Sequence, residues 1–74
     1  GNTMESYYNV YFVKDGEHNL IGKRKNGIEA FAFVAEHCKN LIKFKDVVFS
    51  RNVDGFTVGY GVVGEYYSAV KEWV

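Results

Sequence analysis

The residues with most scope for chemistry in this sequence are two histidines, one cysteine and a run of three cations. Catalysis needs a convergent set: a nucleophile beside a base, paired carboxylates in a cleft, or a metal cluster. His18 falls just past a hairpin turn, and His37 on the flank of a long helix next to an exposed Phe33. Neither has Cys, His or carboxylate neighbours at a spacing that closes a metal site. Glu36 and His37 are adjacent on that helix, so their side chains diverge by about 100°. Both histidines read as solvated surface groups. Cys38 points into the apolar arc of the same helix, where an unpaired cysteine behaves as a small hydrophobe. The reading is a non-enzyme without metal or cofactor.

The cation run, Lys23-Arg24-Lys25, lies in GKRKNG just before a helix N-terminus. Free N–H groups and the helix dipole favour an anion there. The stretch lacks the glycine spacing of a P-loop or a dinucleotide fingerprint. Read plainly, it is a solvated edge strand whose lysines discourage edge-to-edge pairing. As a nucleic-acid contact it needs aromatic residues nearby, because unpaired bases stack on rings.

Those rings are supplied by the strands. Ser6 to Val13, SYYNVYFV, is β-branched and aromatic and suits a pleated surface. Asp15-Gly16 accepts positive φ at both centres of a type I′ turn, so a return strand runs from Glu17 to Arg24. Pairing across that turn sets Val10 opposite Ile21 and Phe12 opposite Asn19. Tyr8, Val10, Phe12 and Ile21 then share the core face. Tyr7, Asn9, Tyr11, Val13 and Leu20 share the other.

Asn26 opens a helix, with Glu29 at capping-box spacing, that runs from Gly27 to about Lys43. Ile28, Phe31, Val34, Ala35, Cys38, Leu41 and Ile42 fall within an arc of about 140°. Asp46–Arg51 and Phe56–Val63 form a second hairpin around Asp54-Gly55. Val47, Phe49, Phe56, Val58, Tyr60 and Val62 lie on its core face. The last ten residues, EYYSAVKEWV, alternate badly as a strand. Wound as a helix, they gather Tyr66, Ala69, Val70, Trp73 and Val74 on one side. The predicted fold is α+β in ββαββα order: a four-stranded, mostly antiparallel sheet with helices packed on one face.

Length and composition bound the rest. Seventy-four residues with 18% aromatic content and no net charge describe one small folded domain and exclude disorder. Residues 1–5 read as a tag remnant and disordered N-terminus, with Met4 the natural start, and residues 6–74 as the domain. One cysteine allows no internal disulfide, and a small secreted domain usually needs several, so the expected compartment is the cytoplasm. No basic n-region with an apolar h-region marks a signal peptide, and no apolar run reaches the length of a membrane span.

The sheet face left uncovered by the helices is the most suggestive feature. Tyrosines there can anchor a protein, stack bases, or simply lie over glycines of adjacent strands. Zero net charge favours a protein partner. The first expectation is a non-catalytic protein-binding module that self-associates as a homodimer, using Tyr7, Tyr11, Leu20, Tyr66 and Trp73. Short chains of this kind act as adaptors, regulators or inhibitors, including in phage and mobile elements. The alternative is a single-stranded nucleic-acid binder that uses the aromatic face with Lys23, Arg24 and Lys25.

Overall fold

The computed structural model describes residues 5–39 and 47–74. Strands β1 (Ser6–Lys14) and β2 (Glu17–Arg24) form the expected hairpin. Its turn has Asp15 at φ 51° and Gly16 at φ 82°, the left-handed pair that a type I′ turn requires. Phe12 pairs with Asn19 as predicted, but Val10 lies opposite Gly22 rather than Ile21. The register steps between Val10 and Tyr11, leaving Ile21 as an extra residue on β2. Ile21 still packs against the core beside Tyr8 and Phe12. The predicted core face of this hairpin is therefore the observed one.

Helix α1 (Gly27–Cys38) starts at the predicted cap, where the Asn26 side chain accepts the Glu29 N–H at 2.9 Å. The Glu29 carboxylate lies 3.8 Å from Lys25 Nζ. The predicted extension to Lys43, with Leu41 and Ile42, lies outside the described residues. The buried stripe is Ala30, Val34 and Cys38, whereas Ile28 is 83% exposed. At 100° per residue this is a rotation of about 50° from the arc that the apolar residues mark out. Small side chains explain it, because Ala30 lets the helix approach the sheet while the bulky rings straddle it. Phe31 reaches Phe49 and Phe56 on one side. Phe33 lies on the bare backbone of Gly22 on the other, where a Cβ would stand 2.8 Å from its ring.

Strands β3 (Val48–Asn52) and β4 (Gly55–Gly59) form the second hairpin, with Phe49 opposite Val58 and Arg51 opposite Phe56. Of the predicted core face, Phe56, Val58 and Tyr60 are buried, whereas Val47 and Phe49, at the sheet's edge strand, are exposed. The strand does not continue to Val63. It stops at Gly59, and a turn through Gly61 (φ 86°) and Gly64 (φ 80°) reverses the chain. Val62 and Val63 are exposed at that turn. Asp46, the predicted start of the hairpin, lies outside the described residues.

The largest correction is at the C-terminus. Glu65–Trp73 is a strand, β5, and not a helix. It enters between β1 and β4 to give one five-stranded antiparallel sheet in the order β2-β1-β5-β4-β3. The ββαββα order and the four-stranded sheet are thus replaced by ββαβββ, with α1 the one helix among the described residues. Tyr66, Tyr67, Val70 and Trp73 are strong strand formers. Their alternation is blurred because a central strand meets apolar neighbours on both faces. Tyr67 and Ala69 point into the core, while Tyr66, Ser68 and Val70 lie half-buried on the opposite face.

The core is therefore one layer between α1 and the sheet. Val10, Val34, Phe56, Val58, Tyr67 and Ala69 are all less than one-tenth exposed there. Tyr67 is fully buried, and its hydroxyl is satisfied by His37 Nδ1 at 2.9 Å. His37 is exposed at the surface, as predicted, while its Nδ1 meets the buried Tyr67 hydroxyl; Phe33 beside it is partly buried rather than exposed.

Candidate functional site

The sheet face turned away from α1 is built by register. On β1 it carries Tyr7, Asn9, Tyr11 and Val13. Cross-strand partners add His18, Leu20 and Lys23 from β2, and Tyr66, Ser68, Val70 and Glu72 from β5. Beyond β5, Thr57 and Gly59 follow on β4, then Ser50 and Val48 on β3. Paired residues share a face, so β5 brings Tyr66 beside Val13 and Glu72 beside Tyr7. Tyr7, Tyr11, Leu20 and Tyr66 therefore share one face, with Tyr7 and Tyr66 towards opposite ends of β1.

Trp73 does not join them. It lies at the end of β5 with the parity of Ala69 and Lys71, with Lys71 Nζ 4.6 Å from its ring centroid. The stripe that a helix would have made from Tyr66, Val70 and Trp73 is split between the two faces. Strand alternation sends Tyr66 and Val70 one way and Trp73 the other.

This face is partly self-supporting. Val13 is 1% exposed between its register partners His18 and Tyr66, and the Tyr11 and His18 rings meet edge-on at 5.9 Å. Leu20, by contrast, is 52% exposed, and Val48 on the far edge is 65% exposed. Asn9 sits at mid-strand with its Oδ1 buried and without a hydrogen-bond partner among the described residues. Charge on this face is balanced, with Lys23 as its cation and Glu72 as its carboxylate.

The cation run is divided. Lys23 lies over the Tyr7 ring at 5.3 Å. The Arg24 guanidinium turns to the helix side and covers Phe33 at 4.2 Å. Lys25 is engaged by Glu29. The three residues still line one shallow depression with Tyr7, of about 410 Å³.

Cys38 is buried against α1 and the sheet, and burial pushes its thiol up from the ordinary range. Its Sγ lies 3.8 Å from the Ala35 carbonyl. Among the described residues, no group of three or more His, Cys, Asp or Glu side chains gathers as a metal site. The β5 contributions Ser68, Val70 and Glu72 went unread in the sequence. The available signal was Gly61 and Gly64, which mark a turn, followed by the β-formers Tyr66, Tyr67, Val70 and Trp73.

Fold and site together define a small α+β domain, its antiparallel sheet covered by one helix on one face and aromatic on the other. No family model matches the chain, and no curated protein or solved structure matches it either. No described helix is long and apolar enough to cross a membrane.

Proposed function

We propose that the chain is a non-catalytic protein-binding module that uses its uncovered sheet face, and that it self-associates through that face. The observation that carries this reading is the convergence of Tyr7, Tyr11, Leu20 and Tyr66 on one side of three adjacent strands. Aromatic anchors supply large contact area at low entropic cost, and a charge-balanced surface suits a protein better than a polyanion. An adaptor or regulator of this size, working in the cytoplasm, fits such a face.

Light scattering tests it directly. The wild-type chain should give a dimer mass in the micromolar range, and Tyr7→Ser with Leu20→Ser should give a monomer of unchanged fold. A monomer mass for the wild-type chain throughout that range overturns self-association.

A nucleic-acid reading has one specific support, the depression shared by Tyr7 and the three cations. It ranks second because Arg24 and Lys25 already have partners. Binding of single-stranded RNA tighter than about 10 µM at physiological salt, weakening steeply as salt rises, would reverse the order.

A further inference from the structure

On the helix side of the sheet, away from the tyrosine face, a cleft of about 660 Å³ opens between the first turn of α1 and the β3–β4 turn. Its size lies within the range of small-molecule sites, roughly 300–1,000 Å³. Three rings form its apolar wall. Phe49 and Phe56 stack at 5.6 Å, and Phe31 meets them at 5.7 and 5.9 Å. Phe56 is buried, but Phe31 and Phe49 remain 47% and 50% exposed, so the wall is preformed and largely uncovered.

The polar lining comprises Tyr8, Asn26, Asn52 and two cations, Arg51 and Lys71, and, among the described residues, no carboxylate. The Lys71 ammonium rests on the exposed Trp73 ring at 4.6 Å, at the cleft's margin. Among the described residues, the ion pairs are Lys25 with Glu29 and Lys39 with Glu36, and neither involves these two cations. The chain carries nine cationic and nine acidic residues, so two cations beside an acid-free cleft are a local excess. At the helix terminus the Asn26 side chain takes up the Glu29 N–H, and Gly27 and Ile28 line the cleft beside it.

We propose that this cleft binds a small organic carboxylate with an aromatic body, its ring against Phe31 and Phe49 and its carboxylate held between Arg51 and Lys71. A guanidinium presents a planar fork to a carboxylate, and a lysine adds a point charge from the other side. Among the described residues, no Cys, Ser, Thr, His or carboxylate lines the cleft beside Lys71 and Tyr8, so the role proposed for it is recognition.

The experiment uses the full chain, labelled with ¹⁵N, titrated with 4-phenylbutyrate and, in parallel, with the neutral 4-phenylbutanamide. Saturable shifts are expected at the amides of Gly27, Ile28, Phe31, Phe49, Arg51, Gly55 and Lys71, and not on the tyrosine face. The amide ligand should bind at least about tenfold more weakly, since a hydrogen bond to a charged group is lost. Arg51→Gln and Lys71→Gln should each weaken the carboxylate by a similar factor while leaving the rest of the spectrum in place. Equal affinity for the two ligands overturns the proposal without reference to any variant. Shifts that do not localise to the cleft, or none that saturate by 10 mM, overturn it as well.

Discussion

Two double substitutions separate the surface of this sheet from its core. Val10 is fully buried on β1 and Val58 is 4% exposed on β4, both under α1. Changing both to Ala removes two methyl groups at each site. At about 0.8 kcal/mol per buried carbon the transfer loss is roughly 3 kcal/mol, and unfilled cavities add to it. A domain of this length holds about 4–11 kcal/mol of stability in all, so the Val pair should bring it close to unfolding. Tyr7 and Tyr11 lie on the opposite face and are half-buried. Changing both to Ser forfeits the Lys23 cation–π contact and the edge contact with His18. These are worth about 0.5–1 and 0.5–1.5 kcal/mol, so losing both contacts should cost about 1–2.5 kcal/mol. The assay is urea unfolding followed by tryptophan fluorescence, run at several protein concentrations. Self-association adds apparent stability by mass action, so the comparison belongs at the lowest concentration, where the dimer has dissociated. The wild-type midpoint should rise with concentration, and that of the Tyr pair should not. If the Tyr pair costs as much as the Val pair at low concentration, the tyrosine face is a second core and the binding reading falls.

The two buried hydroxyls make stability pH-dependent at the alkaline end. Burial first, then the hydrogen bond to Glu65, pushes Tyr60 up to about 12, and burial with nearby Cys38 and Glu65 does the same for Tyr67. The folded state then keeps protons that the unfolded state has lost, so stability is full below about pH 10 and falls between about pH 10 and 12; urea midpoints across that range should show it, with Tyr60→Phe flattening the fall. Gly55→Ala should prevent folding or cost more than about 4 kcal/mol, because φ is 151° and a Cβ would overlap the Ala69 carbonyl; circular dichroism melts check this. Asn26→Ala removes the acceptor for the Glu29 N–H and should cost about 1 kcal/mol in the same melts.

The parts of the fold legible in the sequence are those fixed by local chemistry. Asp15-Gly16 announces a hairpin whatever the rest of the chain does, and Asn26 with Glu29 marks a helix start. Asp54-Gly55 marks the second hairpin but not its turn: the chain reverses at Val53 and Asp54, and Gly55 already pairs with Asn52 as the first residue of β4. The errors arise where tertiary context decides. Apolar periodicity shows where large side chains recur along α1, but the helix turns Ala30, Val34 and Cys38 to the sheet, and Ile28 is left outside. In β5, Tyr66 and Tyr67 are adjacent, which looks like poor alternation, yet each faces a different apolar neighbour across the sheet. Of the residues proposed to bind, Tyr7, Tyr11 and Leu20 follow from the first hairpin alone. Tyr66 reaches the same face through a strand that its periodicity had disguised as a helix, and Trp73 is carried to the other side by the same strand.

The placement of β5 also couples both proposed surfaces to the stability of the domain. Its nine-residue ladder with β1 runs unbroken from Ser6–Trp73 to Lys14–Glu65. In that register Tyr67 and Ala69 enter the core, Lys71 arrives at the cleft, and Tyr66 and Glu72 complete the tyrosine face. A slip of one residue would exchange every one of these positions between faces. The core would lose Tyr67 and its bond to His37, and Tyr66 and Lys71 would leave their surfaces together. Two backbone bonds clamp the register at its ends: the Asp15 N–H donates to the Gly64 carbonyl at 2.9 Å, and the Val74 N–H donates to the Glu5 carbonyl at 2.9 Å. The first depends on the turn through Gly64, whose φ of 80° disfavours a side chain. Recognition on either face of this sheet is thus set by a turn that touches neither surface, because that turn fixes which residues of β5 face which way.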